Sequence, residues 1–298
     1  MADRKKRLDS NVEGNFYVDS TCIDCDTCRQ LAPASFEEAG DYSAVTRQPR
    51  NELETLQAYQ ALLACPVGSI GTERSDRGCL RTAKGSFPLW LADGVYYCGF
   101  NSEKSFGANS FFIQHQDGNW LIDSPRYITH LTDAFAQMGG VRYIFLTHED
   151  DVADAAKYAN HFGAERIIHR ADADAMPGAE RIIDGWDPVH LARQFVVIPV
   201  PGHTPGSCAL LYDERVLCTG DHLWWEPETR RLNSPRRLVS DHEQLLRSIE
   251  RLRAHRFEWV LAGHGDRVRL DSETMRNKLE ELLERRKPQL SHPGIATR

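Results

Sequence analysis

Five short apolar runs beyond residue 119 each end on an acid or a histidine, and this pattern restricts the fold of the chain more than any other feature. They are Trp120-Leu121-Ile122-Asp123, Phe145-Leu146-Thr147-His148, the turn Pro201-Gly202-His203-Thr204-Pro205-Gly206-Ser207 after an apolar run, Thr219-Gly220-Asp221-His222, and Leu261-Ala262-Gly263-His264-Gly265. Short apolar runs bounded by Gly, Pro and Asp read as buried strands, so each motif sets a potential metal ligand at a strand end. From residue 87 onward such strands alternate with amphipathic helices, as in an α/β layer protein. Strands are expected over 111–115, 120–122, 143–146, 166–169, 195–200, 209–212, 216–219 and 259–262, with hairpin turns at Asp117-Gly118 and Asp213-Glu214. Residues 241–255 read as a helix with Leu245, Ile249 and Leu252 on one face and a Ser240/Glu243 capping box. A second helix, 272–286, carries Met275, Leu279 and Leu282.

Taken in order, the five motifs resemble the metallo-β-lactamase superfamily, including its glyoxalase II-like branch, over about residues 106–270. The resemblance implies an αββα sandwich with two sheets inside and helices outside. It implies a metal centre in which His148, His203 and His264 offer neutral imidazole nitrogens and Asp221 offers two oxygens. Asp123 matches the acid that orients a ligand or its loop, which makes Asp221 and Asp123 the candidate catalytic residues. His222, next to Asp221, would point elsewhere on an extended chain and reads as a surface or supporting histidine. The implied activity is metal-dependent hydrolysis, with an activated water attacking an ester, thioester or lactone-like substrate.

The family's second motif, H-x-H-x-D-H, is broken here: His148 is followed by Glu149-Asp150-Asp151-Val152-Ala153-Asp154. Asp150 keeps the spacing of the second histidine, and Asp154 suits the metal-binding aspartate if the loop is two residues longer. Asp151 and Asp154 also stand at capping positions before a helix expected over 152–162. The expected ligand set is therefore His148, Asp150, Asp154, His203, Asp221 and His264, holding one or two divalent ions. Its oxygen content leans from zinc toward iron or manganese. Flavodiiron proteins of the superfamily also place an acid here, but this chain keeps neither their closing histidine nor their spacing. Trp224, Trp225 and Asn109 read as lining the mouth of the site or as packing residues, and Arg236 with Arg237 as a contact for an anionic substrate or a basic surface pair.

Near the N-terminus, Cys22-Ile23-Asp24-Cys25-Asp26-Thr27-Cys28 gives C-x2-C-x2-C, and a distant Cys65-Pro66 supplies a fourth thiol. Three closely spaced thiolates can hold three corners of a cubane, and a remote Cys-Pro can close the fourth. The pattern resembles bacterial ferredoxins over about the first 73 residues. The triple-cysteine run occurs once, which implies one 4Fe-4S cluster on Cys22, Cys25, Cys28 and Cys65; a zinc site would use the same thiolates. Val18, Ile23, Val67 and Ile70 are expected to keep water away.

The expected layout is a small α+β ferredoxin-like domain at 1–73, a polar linker at 74–86, the metallo-β-lactamase-like domain at 87–286 and a disordered tail at 287–298. A formal net charge of -7 argues against nucleic acid as a partner, and the sequence offers no membrane span or signal peptide, so a cytoplasmic location is expected. Three functions fit. The first is a hydrolase acting on a small-molecule substrate. The second is a non-haem iron oxidoreductase fed by the cluster, with a redox partner protein. The third is a non-catalytic electron carrier or binding protein.

Overall fold

The computed structural model describes residues 2–290. The chain divides into two compact units, one holding the residues to Phe145 together with Asp150–Arg166, the other Leu146–Glu149 and the chain from Ile167.

The first unit opens with β1 (Phe16–Val18), α1 (Thr27–Leu31), β2 (Phe36–Glu38), β3 (Ser43–Val45), α2 (Glu52–Ala64) and β4 (Ile70–Thr72). β1 pairs antiparallel with β4, Tyr17 opposite Gly71, so the two ends of the cysteine-bearing segment are tied together. Asn51 caps α2 by accepting from Glu54 N at 2.9 Å. Residues 74–86, expected as a linker, contain a helix, α3 (Arg77–Gly85), because Asp76 caps it through Gly78 N and Cys79 N and Ala83 is fully buried. A mixed sheet follows in the order β9-β8-β7-β6-β5, built from β5 (Leu89–Ala92), β6 (Val95–Tyr97), β7 (Phe111–Ile113), β8 (Trp120–Ile122) and β9 (Tyr143–Phe145). β5 to β8 pair antiparallel, and β8 pairs parallel with β9. α4 (Thr129–Gln137) lies between β8 and β9 in sequence, and its Phe135 ring stacks on Phe112 with centroids 4.7 Å apart. α5 (Ala155–Phe162) closes the unit; the helix expected from 152 starts later because Glu149–Asp151 form a 3-10 turn.

The second unit takes up the chain within β10 (Glu165–His169), whose Ile167 to His169 pair parallel with β11 (Arg181–Ile183). A six-stranded sheet follows in the order β12-β13-β14-β15-β18-β19, from β12 (Val189–Ala192), β13 (Phe195–Pro199), β14 (Cys208–Tyr212), β15 (Val216–Gly220), β18 (Trp259–Ala262) and β19 (Val268–Arg269). Between β15 and β18 the chain forms the hairpin β16 (Trp224–Glu226) and β17 (Arg231–Asn233) and then α6 (His242–Leu252); α7 (Ser272–Leu290) ends the described chain. Asp213 and Glu214 both take left-handed backbone, φ 54° and 50°, as the expected turn between β14 and β15.

The core of this unit follows the period of two in the strands and of 3.6 in the helices. Ile198, Leu211, Leu217 and Val260 face Leu245, Ile249 and Leu252 of α6 and Met275, Leu279 and Leu282 of α7, all buried. The α6 cap differs from expectation. Asp241 accepts from Gln244 N at 2.9 Å, and the Ser240 hydroxyl instead donates to Gly202 O at 2.8 Å. α7 runs past the expected 286, and the rest of the expected tail, 291–298, lies outside the described residues. Among the described residues no helix is long and apolar enough to cross a membrane.

Candidate metal centres

In the first unit, Cys22, Cys25 and Cys28 come from the loop entering α1 and its first turn, and Cys65 from the C-terminal end of α2. All four thiols line one small cavity walled by the expected Val18, Ile23, Val67 and Ile70. Asp24 N donates to Cys22 Sγ at 3.4 Å and Ser69 N to Cys65 Sγ at 3.3 Å. Burial pushes the Cys25 thiol up to about 12 and raises Cys22 and Cys28 as well. Four converging thiols, three of them pushed toward the protonated form by burial, fit a site that loads metal by expelling protons.

In the second unit, His148, His203 and Asp221 form a group whose ligand atoms all lie within 4.8 Å of one another. Each sits just past a strand, where the chain leaves the sheet. His148 Nε2 is 3.8 Å and His203 Nε2 3.7 Å from Asp221 Oδ2, and the two imidazole centroids are 4.9 Å apart. His264 Nδ1 lies 2.8 Å from both Asp221 oxygens. Burial alone would raise the Asp221 carboxyl; His264 first, then His148 and His203, outweigh it and hold it well below the usual carboxylate range.

Three local devices hold this geometry. Thr147 Oγ1 lies 3.0 Å from His148 Nδ1, which fixes the ring with Nε2 toward Asp221. Thr147 O accepts from Cys208 N at 2.8 Å, anchoring this strand end to β14. Gly220 lets the end of β15 approach it: φ is 49°, and a Cβ there would lie 2.5 Å from Thr147 Oγ1. Asp172, which the sequence did not single out, is buried and accepts from Thr204 Oγ1 at 2.5 Å, Gly206 N at 2.7 Å and Glu149 N at 3.1 Å. One carboxylate therefore ties the turn carrying His203 to the residue after His148. Its partners are distant in sequence, and no spacing rule announces them.

The structure sorts the other candidates. Asp150 is exposed on the 3-10 turn and is not part of the close ligand group. Asp154 is not in the group either, and it makes no capping hydrogen bond to α5. Its Oδ1 meets Lys104 Nζ at 2.7 Å and Lys157 Nζ at 3.0 Å, and its Oδ2 accepts from Tyr127 N at 3.0 Å. Burial opposes ionisation of Asp154, but these donors prevail and lower it to about 2. Asp151 is buried, and Asp123 is buried with φ 56°, its N–H on Phe145 O at 2.8 Å. His222 is no surface residue: it is buried, and burial followed by the charge of His203 pushes it down to about 3. Asn109 is buried in the first unit and donates to Gln30 Oε1 at 3.1 Å.

Each of the two segments matches a known family. Residues 18–72 match the family described as the 4Fe-4S single cluster domain of Ferredoxin I, which implies an iron–sulfur cluster. A hydroxyacylglutathione hydrolase of Hyphomonas neptunium (strain ATCC 15444) is 30% identical over 120 residues, 38% of this chain and 47% of that protein. Another, of Acidiphilium cryptum (strain JF-5), is 25% identical over 118 residues, 39% of this chain and 49% of that protein. The chain spans about half the length of these curated relatives. The crystal structure of a metallo-beta-lactamase from Hirschia baltica shares the fold, with a TM-score of 0.50 at 14% identity over 65% of this chain and 96% of that one. Residues 89–285 match the metallo-beta-lactamase superfamily, and the chain belongs to it.

Proposed function

We propose that the chain is a metal-dependent hydrolase of small ester or thioester substrates, with a divalent ion on His148, His203 and Asp221 and a 4Fe-4S cluster on Cys22, Cys25, Cys28 and Cys65. The observation that carries the reading is the convergence of two imidazoles on one ionised carboxylate at strand ends. A divalent ion held there would supply Lewis acidity and lower the pKa of water toward neutrality. The chain's own residues prepare that position. His264 holds both Asp221 oxygens. An imidazole that ligated through Nε2 would keep its proton on Nδ1, and His148 would then donate it to Thr147 Oγ1, 3.0 Å away. Asp172 keeps the His203 turn and the end of the His148 strand in register. The named relatives make a hydroxyacylglutathione thioester the first substrate to try. Wild-type protein should hydrolyse such a thioester, and Asp221→Ala should lower both bound metal and turnover to background. Full turnover in Asp221→Ala would refute the assignment.

Two imidazoles and one carboxylate also suit iron(II). This favours, as a second reading, a non-haem iron oxidoreductase that takes electrons from the cluster and a redox partner protein. Zinc cannot change oxidation state. Turnover that survives exchange of iron for zinc supports the hydrolase; turnover that needs iron and reductant supports the second reading.

A further inference from the structure

Residues beyond the ferredoxin match reach the cysteine cavity. Cys65 follows α2, whose last carbonyls have no partner within the helix. Two of them are taken by the later segment: Asn101 N donates to Ala64 O at 3.1 Å, and the Arg126 guanidinium to Leu63 O at 3.0 Å. Gly107 closes one side. Its φ is 89°, and a Cβ there would lie 2.7 Å from Cys25 Cβ and 2.9 Å from Cys25 Sγ, so no other residue fits without displacing the ligand.

A hydrogen-bond relay runs through the same place. Cys25 Sγ lies 3.4 Å from Thr27 Oγ1, which is also 3.3 Å from Gly107 O. Asn101, fully buried, donates to Thr27 Oγ1 at 3.1 Å and to Gly107 O at 2.7 Å, while its own oxygen accepts from Tyr97 OH at 2.8 Å. A cysteine that ligates iron is a thiolate and can only accept. The Thr27 hydroxyl already accepts from Asn101, and the competing Gly107 carbonyl already has a donor. The hydroxyl proton is thereby directed to the charged sulfur, the stronger acceptor.

We propose that the metallo-β-lactamase segment completes the iron–sulfur site: Asn101 and Gly107 close the cavity and aim the Thr27 hydroxyl at Cys25, and so set how firmly the cluster is held and at what potential it is reduced. Hydrogen bonds to ligand sulfur stabilise the reduced, more negative cluster, so the relay raises the potential. Asn101 acts here as a positioning residue. The inference is independent of the chemistry at the imidazole site.

The test uses the full chain, purified anaerobically, with iron, acid-labile sulfide and midpoint potential measured by reductive titration under spectroscopic observation. Thr27→Val and Asn101→Leu should each retain the cluster at a lower potential, the double variant should fall no lower than Thr27→Val, and Thr27→Ser should restore the wild-type value. Gly107→Ala should lose iron and sulfide several-fold faster in air than wild type or Gly40→Ala, a control with left-handed backbone but open space where its Cβ would stand. Should Thr27→Val fail to fold, Asn101→Leu read against Thr27→Ser still decides. Wild-type potential in Asn101→Leu with full iron and sulfide would overturn the relay, and wild-type cluster lifetime in Gly107→Ala would overturn the closure.

Discussion

Cys22, Cys25 and Cys28 stand within seven consecutive residues, whereas His148, His203 and Asp221 come from three separate strand ends. The first set has three ligands in one loop, and the end of α2 adds the fourth. The second exists only once the sheet has formed and its outgoing turns are tied together. Their electrostatics differ in the same sense. Burial, full at Cys28 and partial at Cys22 and Cys25, pushes these thiols toward the neutral form, so that site gains its charge on loading. The imidazole site already contains an ionised carboxylate, held by His264. The contrast teaches that a local ligand set is placed by one loop and one helix end, while a dispersed set is placed only by the folded sheet and the ties between its turns.

The comparison can be broken most severely at Asp172. Asp172→Ala leaves Thr204 Oγ1, Gly206 N and Glu149 N without their acceptor. The expected cost is about 3 kcal/mol of stability, with metal affinity at the imidazole site falling roughly 10- to 100-fold and iron–sulfur content unchanged. Thermal unfolding and metal titration measure these. A variant with wild-type affinity would show that the site does not depend on its scaffold.

A smaller effect is expected at Asp154. Its carboxyl is held down to about 2 by Lys104, Tyr127 N and Lys157 against the burial that opposes ionisation. The depressed value favours the folded state above about pH 4, where the unfolded chain's acid is also ionised, and the gain disappears as pH falls from there toward 2. Both lysines are largely exposed, so solvent screens the pair, and Asp154→Asn should cost about 1 kcal/mol near neutral pH. Denaturant titrations should show wild type and variant converging at low pH, with metal content equal throughout. Loss of metal from Asp154→Asn would restore this acid to the ligand set.

Much of this was legible in the sequence because strand-end motifs report fold and site together. The strands at 120–122 and 259–262 and the apolar faces of α6 and α7 stand where period and composition place them. β5 and β6 escaped because Leu89–Ala92 and Val95–Tyr97 are apolar throughout and show no alternation, although Trp90 is exposed and Tyr96 half-buried. The acid-rich loop stayed ambiguous in the sequence for a physical reason. Spacing alone could not show that Asp154 finds Lys104 in a loop far back in the chain, or that Glu149–Asp151 coil into a 3-10 turn that leaves Asp150 exposed. Asp172 and Asn101 were invisible because each acts through partners distant in sequence.

The central claim is that this chain holds metal at two chemically separate sites. It is tested most directly by measuring iron, acid-labile sulfide and total other metal in anaerobically purified wild type, Cys65→Ala and His203→Ala. The account predicts that Cys65→Ala loses iron and sulfide while keeping the second metal, and that His203→Ala keeps iron and sulfide while losing the second metal, each variant remaining folded. Unchanged metal content in His203→Ala, or stoichiometric zinc without sulfide on the cysteines of the wild type, would contradict it.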